Sequence, residues 1–232
     1  MFLKHFLLIK WDFWRFLKKP RLHRLNFSSY QKFVLTINFF VISLVILPFS
    51  FIASYYLWSI FPETVSSFKW WWYPTFTGFM FIMFLAPLWE ELVFRYPMKK
   101  YSKYLLFFVF LAFFPILIQI YDLWNVILIY IIIFLLNYIF LSKPENLYKT
   151  EKIWNKNFWA VFYFFAIIFA VIHLVSYDFS WILVAFIPII LMMQIIVWIF
   201  MSYLRVSCGL KYAILLHVLY NSSIAMIIFL TN

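Results

Sequence analysis

The chain has 232 residues, of which 67% are hydrophobic and only 12% are charged. Soluble globular domains are about 45–50% apolar and about 25% charged, so this composition places the chain among membrane proteins. Its two glycines and single cysteine exclude a glycine-rich phosphate loop, a GxxxG helix pair, an internal disulfide and a cysteine-based zinc cluster.

Residues 1–32 form a basic amphipathic segment before the first long apolar run. The apolar core of MFLKHFLLIK is too short for a typical signal peptide, and it leads directly into WDFWRFLKKPRLHR. That stretch mixes Phe, Leu and Trp with Lys and Arg, which predicts a helix on the membrane surface that is attracted to anionic lipid. Basic stretches also bind nucleic acid, but the aromatic content favours membrane lipid as the partner and no nucleic acid.

Seven stretches are apolar enough for membrane helices, which need about 20 mostly apolar residues, although the third is short. They cover residues 33–55, 74–96, 104–120, 124–141, 157–177, 181–204 and 212–230. The sequence therefore predicts an all-α polytopic membrane protein. Its transmembrane domain covers residues 33–230, after the basic segment.

The basic residues support this arrangement, because Lys and Arg collect on the cytoplasmic side of membrane proteins. With the N-terminus inside, all but one of the 19 Lys and Arg residues fall on the cytoplasmic side, and the exception is Lys69. The outer turns hold Glu63, Asp122 and Asp178 instead. We therefore predict a multi-pass protein of the cell membrane, with the N-terminus in the cytoplasm and the C-terminus outside.

Charged residues occur within the second predicted span, where an ionisable side chain costs at least ~2.5 kcal/mol and marks a candidate functional site. In APLWEELVFRYPM, Glu91 and Arg95 are four residues apart and share a helix face, so they can pair. Glu90 points about 100° away and is left without its own local cation. The alternative for this stretch is a charged helix end that snorkels into water.

Two later spans each contribute a histidine. His173 lies in FAVIHL on the fifth span, and a lone intramembrane His more often makes a hydrogen bond between helices. His217 and Asn221 in LLHVLYNSS are four residues apart and face the same way, so they can bind a metal, stabilise an oxyanion or link two helices. One carboxylate and two imidazoles are what metal-free water activation or a zinc site at Glu90, His173 and His217 requires.

The depths of these groups do not match if the helices are straight. Glu90 lies roughly 13 Å from Lys99, whereas His173 lies roughly 25 Å from Lys156, by the rise of an α-helix. The two groups meet only if the fifth helix begins below the membrane surface, or if Pro87 and helix tilt bring them together.

The three stretches match the EExxxR, FxxxH and HxxxN motifs in order, as EELVFR, FAVIH and HVLYN. Over residues 80–225 the chain resembles the CPBP family of intramembrane proteases, also called the type II CAAX prenyl endopeptidase or Abi family. The spacing from Glu90 to His173 is long for that family. The extra length is predicted to be an inserted hairpin at 104–156, which preserves helix orientation because it adds an even number of spans.

The resemblance implies a role for each motif residue. Glu90 would be the general base that activates water, and His173 would help to hold that water. His217 and Asn221 would stabilise the oxyanion of the tetrahedral intermediate. Glu91 and Arg95 would support the structure of the site.

The expected function is an intramembrane endopeptidase that hydrolyses a peptide bond near the cytoplasmic face with a glutamate-activated water. Its substrate would be a peptide or protein, lipidated or membrane-embedded, and prenylated CAAX substrates follow from the family alone. Two alternatives stay open: a non-catalytic membrane immunity or scaffold protein of the same fold, and a proton-coupled transporter with a Glu–His relay. We expect no cofactor, with zinc held by Glu90, His173 and His217 as the open alternative.

Overall fold

The computed structural model describes residues 11–22, 25–60, 75–96, 98, 122–176 and 181–231. Within these ranges all regular structure is helical, so the all-α class expected from the sequence is confirmed for them. The span predicted at 104–120 lies outside the described residues. So do residues 1–10 of the basic N-terminal segment.

The described helices follow one another with short connections. In chain order they are α1 (11–18), α2 (Ser29–Ile60), α3 (Phe76–Arg95), α4 (Leu123–Ser142), α5 (Pro144–Lys156), α6 (Phe158–Ile172), α7 (Trp181–Ser207) and α8 (Leu210–Thr231). A 3₁₀ turn, His173–Ser176, continues the chain directly after α6.

Several helices are long and apolar enough to cross a membrane. Five qualify alone, over Ser29–Phe49, Phe76–Arg95, Leu123–Ser142, Phe186–Ser207 and Leu210–Ile227. α5 and α6 qualify together but are bent by 79° at their junction, which would make a sixth span. The described part of the chain is therefore consistent with a multi-pass membrane protein of five to six spans.

The bend between α5 and α6 follows from a change in sequence character. α5, PENLYKTEKIWNK, begins with Pro144 in its first turn, is strongly polar and buries none of its side chains. At the junction the backbone N–H and the side-chain amide of Asn157 both donate to the Ile153 carbonyl at 3.0 Å, which closes the last turn of α5. α6 then buries an apolar face. Its buried side chains are Phe158, Phe162, Phe165, Ala166, Phe169 and Ala170.

α3 departs from α-helical geometry at two places. Phe81–Leu85 and Glu91–Arg95 are π-helical, with backbone hydrogen bonds that reach five residues back. The Tyr96 N–H, for example, donates to the Glu91 carbonyl at 2.9 Å. Such segments are rare and are frequently found at functional sites.

α7 is central to the bundle and packs against α2, α6 and α8. The contact with α6 is aromatic, with the rings of Phe162 and Trp198 at 4.8 Å between centroids. The N-terminal chain closes the end of the bundle where α7 finishes, because the Leu25 N–H donates to the Ser207 carbonyl at 3.1 Å. The candidate site lies just before this end of α7, where α3 and α8 approach it.

Candidate active site

A fully buried ion pair forms the base of the site on α3. The side chains of Glu91 and Arg95 are both 0% exposed, and Arg95 Nη1 lies 2.5 Å from Glu91 Oε1. The pairing expected from their four-residue spacing is therefore present. The alternative of a charged helix end that snorkels into water is wrong for these two side chains, because neither of them reaches solvent.

Groups from α6 and α7 replace water around Arg95. Its Nε–H donates to Ser202 Oγ at 3.3 Å. Its guanidinium carbon lies 4.9 Å from the ring centre of Phe169 and 5.6 Å from that of Trp198. A planar guanidinium between aromatic faces and beside a carboxylate can be buried at a lower cost than an isolated cation.

His217 of α8 links the two glutamates. Its Nδ1 lies 2.9 Å from Glu91 Oε1, and its Nε2 lies 3.6 Å from Glu90 Oε2. Since an ionised carboxylate only accepts hydrogen bonds, Nδ1 carries a proton and Nε2 is directed at Glu90. The expectation that Glu90 has no local cation holds within α3, but α8 supplies a partner from across the bundle.

Glu90 lies between this cluster and a cavity on the outer face of α3. The cavity has a volume of about 570 Å³, and Glu90 is its one charged lining residue among the described ones. The Glu90 side chain is 23% exposed, while its Oε2 atom is buried and makes no hydrogen bond with any described residue. The apolar lining residues are Phe81, Leu85, Ala86, Leu88, Trp89 and Leu92.

Asn221 fastens α8 to α3 one turn beyond His217. Its Nδ2 donates to the Ile82 carbonyl at 3.2 Å. In the π-helical segment the Ala86 N–H donates to the Phe81 carbonyl, five residues back. By the same spacing the Ile82 carbonyl would accept from the N–H of residue 87, but this residue is Pro87, which has no N–H. The side chain of Asn221 therefore satisfies a carbonyl that the proline leaves open.

His173 lies beside the cluster rather than within it. Its Nδ1–H donates to the Phe169 carbonyl at 2.7 Å, and its ring is 4.7 Å from the Phe169 ring, the one that also covers Arg95. No hydrogen bond or ion pair joins His173 to Glu90 or His217 among the described side chains. Its Nε2 is the nitrogen left for another partner.

Metal-ligand geometry is not found in the described part of the chain. No group of three His, Cys, Asp or Glu side chains there has the spacing to hold a metal ion. Glu90, His173 and His217, the zinc set offered by the sequence, accordingly do not form such a group in this arrangement.

α7 contributes residues that the motifs do not contain. Arg205 donates to the carbonyls of Arg95 at 3.0 Å and of Tyr96 at 3.2 Å, so it caps the C-terminal end of α3. Trp198, Ser202 and Arg205 are spaced by four and three residues and share one helix face. A serine and an arginine on one face of an apolar helix are the signal by which these residues could have been found.

Comparisons with protein-family profiles, with curated proteins and with solved structures find no match for this chain. No residue role therefore comes from a relative. The chemistry of the site rests on the three motifs and on the contacts made by their residues.

Proposed function

We propose that this chain is an intramembrane endopeptidase, similar to the CPBP or type II CAAX prenyl endopeptidase family, that cuts a peptide bond near the cytoplasmic face of the cell membrane. The observation that carries the proposal is the Glu90 carboxylate facing His217 Nε2 at 3.6 Å, beside an ion pair with no solvent exposure. This arrangement unites the EExxxR motif of α3 with the HxxxN motif of α8. An inert scaffold requires no such pairing, whereas a proton-coupled transporter would use the same Glu–His pair, so peptide cleavage has to separate the transporter from the endopeptidase.

The proposed topology has seven spans, with the N-terminus in the cytoplasm and the C-terminus outside. The described helices supply five spans, or six with the bent α5–α6 pair. The seventh is the apolar stretch predicted from the sequence at residues 104–120, which lies outside the described residues. The distribution of Lys and Arg along the sequence supports this orientation.

In the proposed reaction Glu90 is the general base. Its carboxylate takes a proton from a water molecule as the water oxygen attacks the carbonyl carbon of the substrate, and the C=O electron pair moves to the oxygen. His173 helps to hold this water through Nε2, because its Nδ1–H is used by the Phe169 carbonyl. The product of this step is a tetrahedral intermediate with an oxyanion and a protonated Glu90.

His217 and Asn221 stabilise the oxyanion. His217 presents Nε2 to this position while Glu91 holds Nδ1, and Asn221 has a second amide N–H besides the one used by the Ile82 carbonyl. The intermediate collapses as the C–N bond breaks, and Glu90 returns its proton to the leaving amine. No metal takes part in this scheme, and one tightly bound zinc ion per purified chain would contradict it.

The cavity beside Glu90 supports an apolar substrate segment. Its walls are formed by leucine, phenylalanine and tryptophan side chains of α3. A membrane-embedded or lipidated peptide fits such walls, because burial of its apolar surface is favourable there.

The test is cleavage of quenched peptides, with and without a C-terminal isoprenoid, by the purified protein in detergent. Glu90→Gln keeps the size of the side chain and removes the base, so we expect the rate to fall by about 10²-fold or more. Glu145→Gln removes a carboxylate from an exposed position on α5 and should cleave like the wild type. Equal rates for Glu90→Gln and the wild type would contradict the proposal, and wild-type protein that cuts neither peptide would favour the scaffold or transporter.

A further inference from the structure

α1 divides into two faces with different chemistry. Residues 12, 13, 16 and 17 face the bundle, whereas residues 11, 14, 15 and 18 face outward at the i, i+3, i+4, i+7 spacing of a single helix face. The outward face is named here the Trp–basic face; it consists of Trp11, Trp14, Arg15 and Lys18.

Specific contacts hold the inward face of α1 on the bundle. The Tyr203 hydroxyl of α7 donates to Asp12 Oδ2 at 2.7 Å, and the Tyr163 hydroxyl of α6 donates to the Leu17 carbonyl. Phe16 is 2% exposed and packs edge-on against Tyr203 at 5.1 Å between ring centroids. The orientation of α1 about its own axis is therefore set by the protein.

The Trp–basic face combines large aromatic rings with cations held over them. Trp11 is 54% exposed and Trp14 is 52% exposed. The Arg15 guanidinium carbon lies 5.1 Å from the Trp11 ring centre, and the Lys18 ammonium lies 5.5 Å from that of Trp14. Both cations are thus held at the level of the indole rings.

This face lies at the end of the bundle where membrane headgroups are expected. α1 packs beside Tyr203, four residues before the end of α7 at Ser207, and the chain after α1 bonds to the Ser207 carbonyl. The distribution of basic residues assigns that end to the cytoplasmic leaflet, which carries anionic lipid. Tryptophan favours the depth of the lipid headgroups, so cations held beside it meet phosphate groups.

We propose that the Trp–basic face binds the phosphate groups of anionic phospholipids, and that this binding anchors the chain in the cytoplasmic leaflet. The positive charges of Arg15 and Lys18 complement the phosphate, and the two tryptophans favour the depth of the headgroups, so both features favour this partner. The proposal is independent of the endopeptidase activity, because it involves neither Glu90 nor His217. α5 provides a comparison, since Lys149 and Lys152 are also exposed, but neither ammonium lies over a tryptophan ring of the described residues.

The test is a binding titration of the full chain in neutral detergent with short-chain phosphatidylglycerol, and with zwitterionic phosphatidylcholine, which has no net charge, as the control. The variant Arg15→Gln with Lys18→Gln should weaken phosphatidylglycerol binding by about tenfold or more, since each basic residue near an anionic surface contributes about fivefold. The matched variant Lys149→Gln with Lys152→Gln removes the same charge and should bind like the wild type. All four side chains are exposed, and unchanged melting temperatures will show that both variants fold.

Four outcomes would overturn the proposal. Equal weakening by both variants would show that only overall charge matters, and no weakening by the α1 variant would show that its cations do not contact the lipid. Equal affinity for the two lipids would show that the headgroup charge is not recognised. A short oligonucleotide that binds the wild type more tightly than phosphatidylglycerol, and fails to bind the α1 variant, would assign the face to nucleic acid instead.

Discussion

Glu90 and Glu91 follow one another in the chain but have different surroundings. Glu91 is fully buried, and its Oε1 accepts from both Arg95 and His217. Glu90 is partly exposed, faces His217 Nε2 and lines the cavity on α3. At the scale of the residue, Glu90 is therefore the carboxylate that can exchange a proton with water, and Glu91 is the one that fixes the imidazole in place.

Glu91→Gln should destabilise the protein, because it leaves the buried cation of Arg95 without its counter-charge. Stranding one member of a buried pair costs ~3–5 kcal/mol, and Arg95 has no exposed surface through which water could reduce that cost. Combining Glu91→Gln with Arg95→Gln should recover part of the stability. Melting temperatures in detergent provide the measurement, with Glu145→Gln as the exposed control; a Glu91→Gln protein as stable as the wild type would contradict the account of the pair.

At the scale of the element, α3 is shaped by Pro87 and by its π segments. The missing N–H of the proline leaves the Ile82 carbonyl for Asn221, so a local backbone defect becomes a contact between two helices. The same helix ends at Arg95, where the guanidinium of Arg205 donates to the Arg95 carbonyl and caps the helix. The site therefore depends on an irregular helix whose open carbonyls are satisfied by other helices.

Asn221→Leu should cost ~1–3 kcal/mol, because the Ile82 carbonyl loses its donor at a partly buried position within the membrane span. In a Pro87→Ala background the cost should shrink, since the alanine N–H restores a backbone donor for that carbonyl. A double-mutant cycle of unfolding free energies measures this coupling. Additive effects of the two substitutions would show that Pro87 and Asn221 are not linked through Ile82.

The contact between α3 and α6 bears on the depth mismatch expected from straight helices. Arg95 packs on Phe169, which lies roughly 16 Å along α6 from Phe158, and Met98 beyond it is 0% exposed. The charged end of α3 is thus inside the bundle rather than at its surface. Glu91 and His173 each lie one helical turn away from that Arg95–Phe169 contact.

The sequence predicted contacts within a helix better than contacts between helices. Spacing alone indicated the Glu91–Arg95 pair and the common face of His217 and Asn221, because the helical period determines which residues share a face. It did not indicate that Ser202 bonds to Arg95 or that α5 and α6 bend apart. Periodicity identifies an inward face but not its partner, and a π register depends on hydrogen bonds that have no simple sequence period.

The turn between α7 and α8 can be tested through Cys208. Burial raises the pKa of its thiol to about 12, with Lys32 opposing the shift. The thiol is therefore protonated at neutral pH, and we expect slow alkylation whose rate keeps rising with pH instead of levelling off near the pKa of a free cysteine. Mass spectrometry of the iodoacetamide-treated protein measures the rate, with denatured protein as the fast control; equally fast reaction of the folded protein would place Cys208 in solvent.

At the scale of the whole molecule, the orientation in the membrane determines which compartment supplies the substrate. The proposed seven spans put the C-terminus outside, because nearly all basic residues then face the cytoplasm. An Asn232→Cys variant in intact cells should react with a membrane-impermeant maleimide added from outside. Labelling that requires opened cells would overturn this seven-span topology.

The central claim is that Glu90, and not its neighbour, activates the water that cuts the peptide. The most direct measurement compares peptide cleavage per folded molecule for the wild type, Glu90→Gln and Glu91→Gln, with the folded fraction taken from melting curves. We predict that Glu90→Gln is as stable as the wild type and inactive, while Glu91→Gln loses stability first and activity as a consequence. A Glu90→Gln protein that cleaves normally, beside a stable and inactive Glu91→Gln protein, would contradict the account.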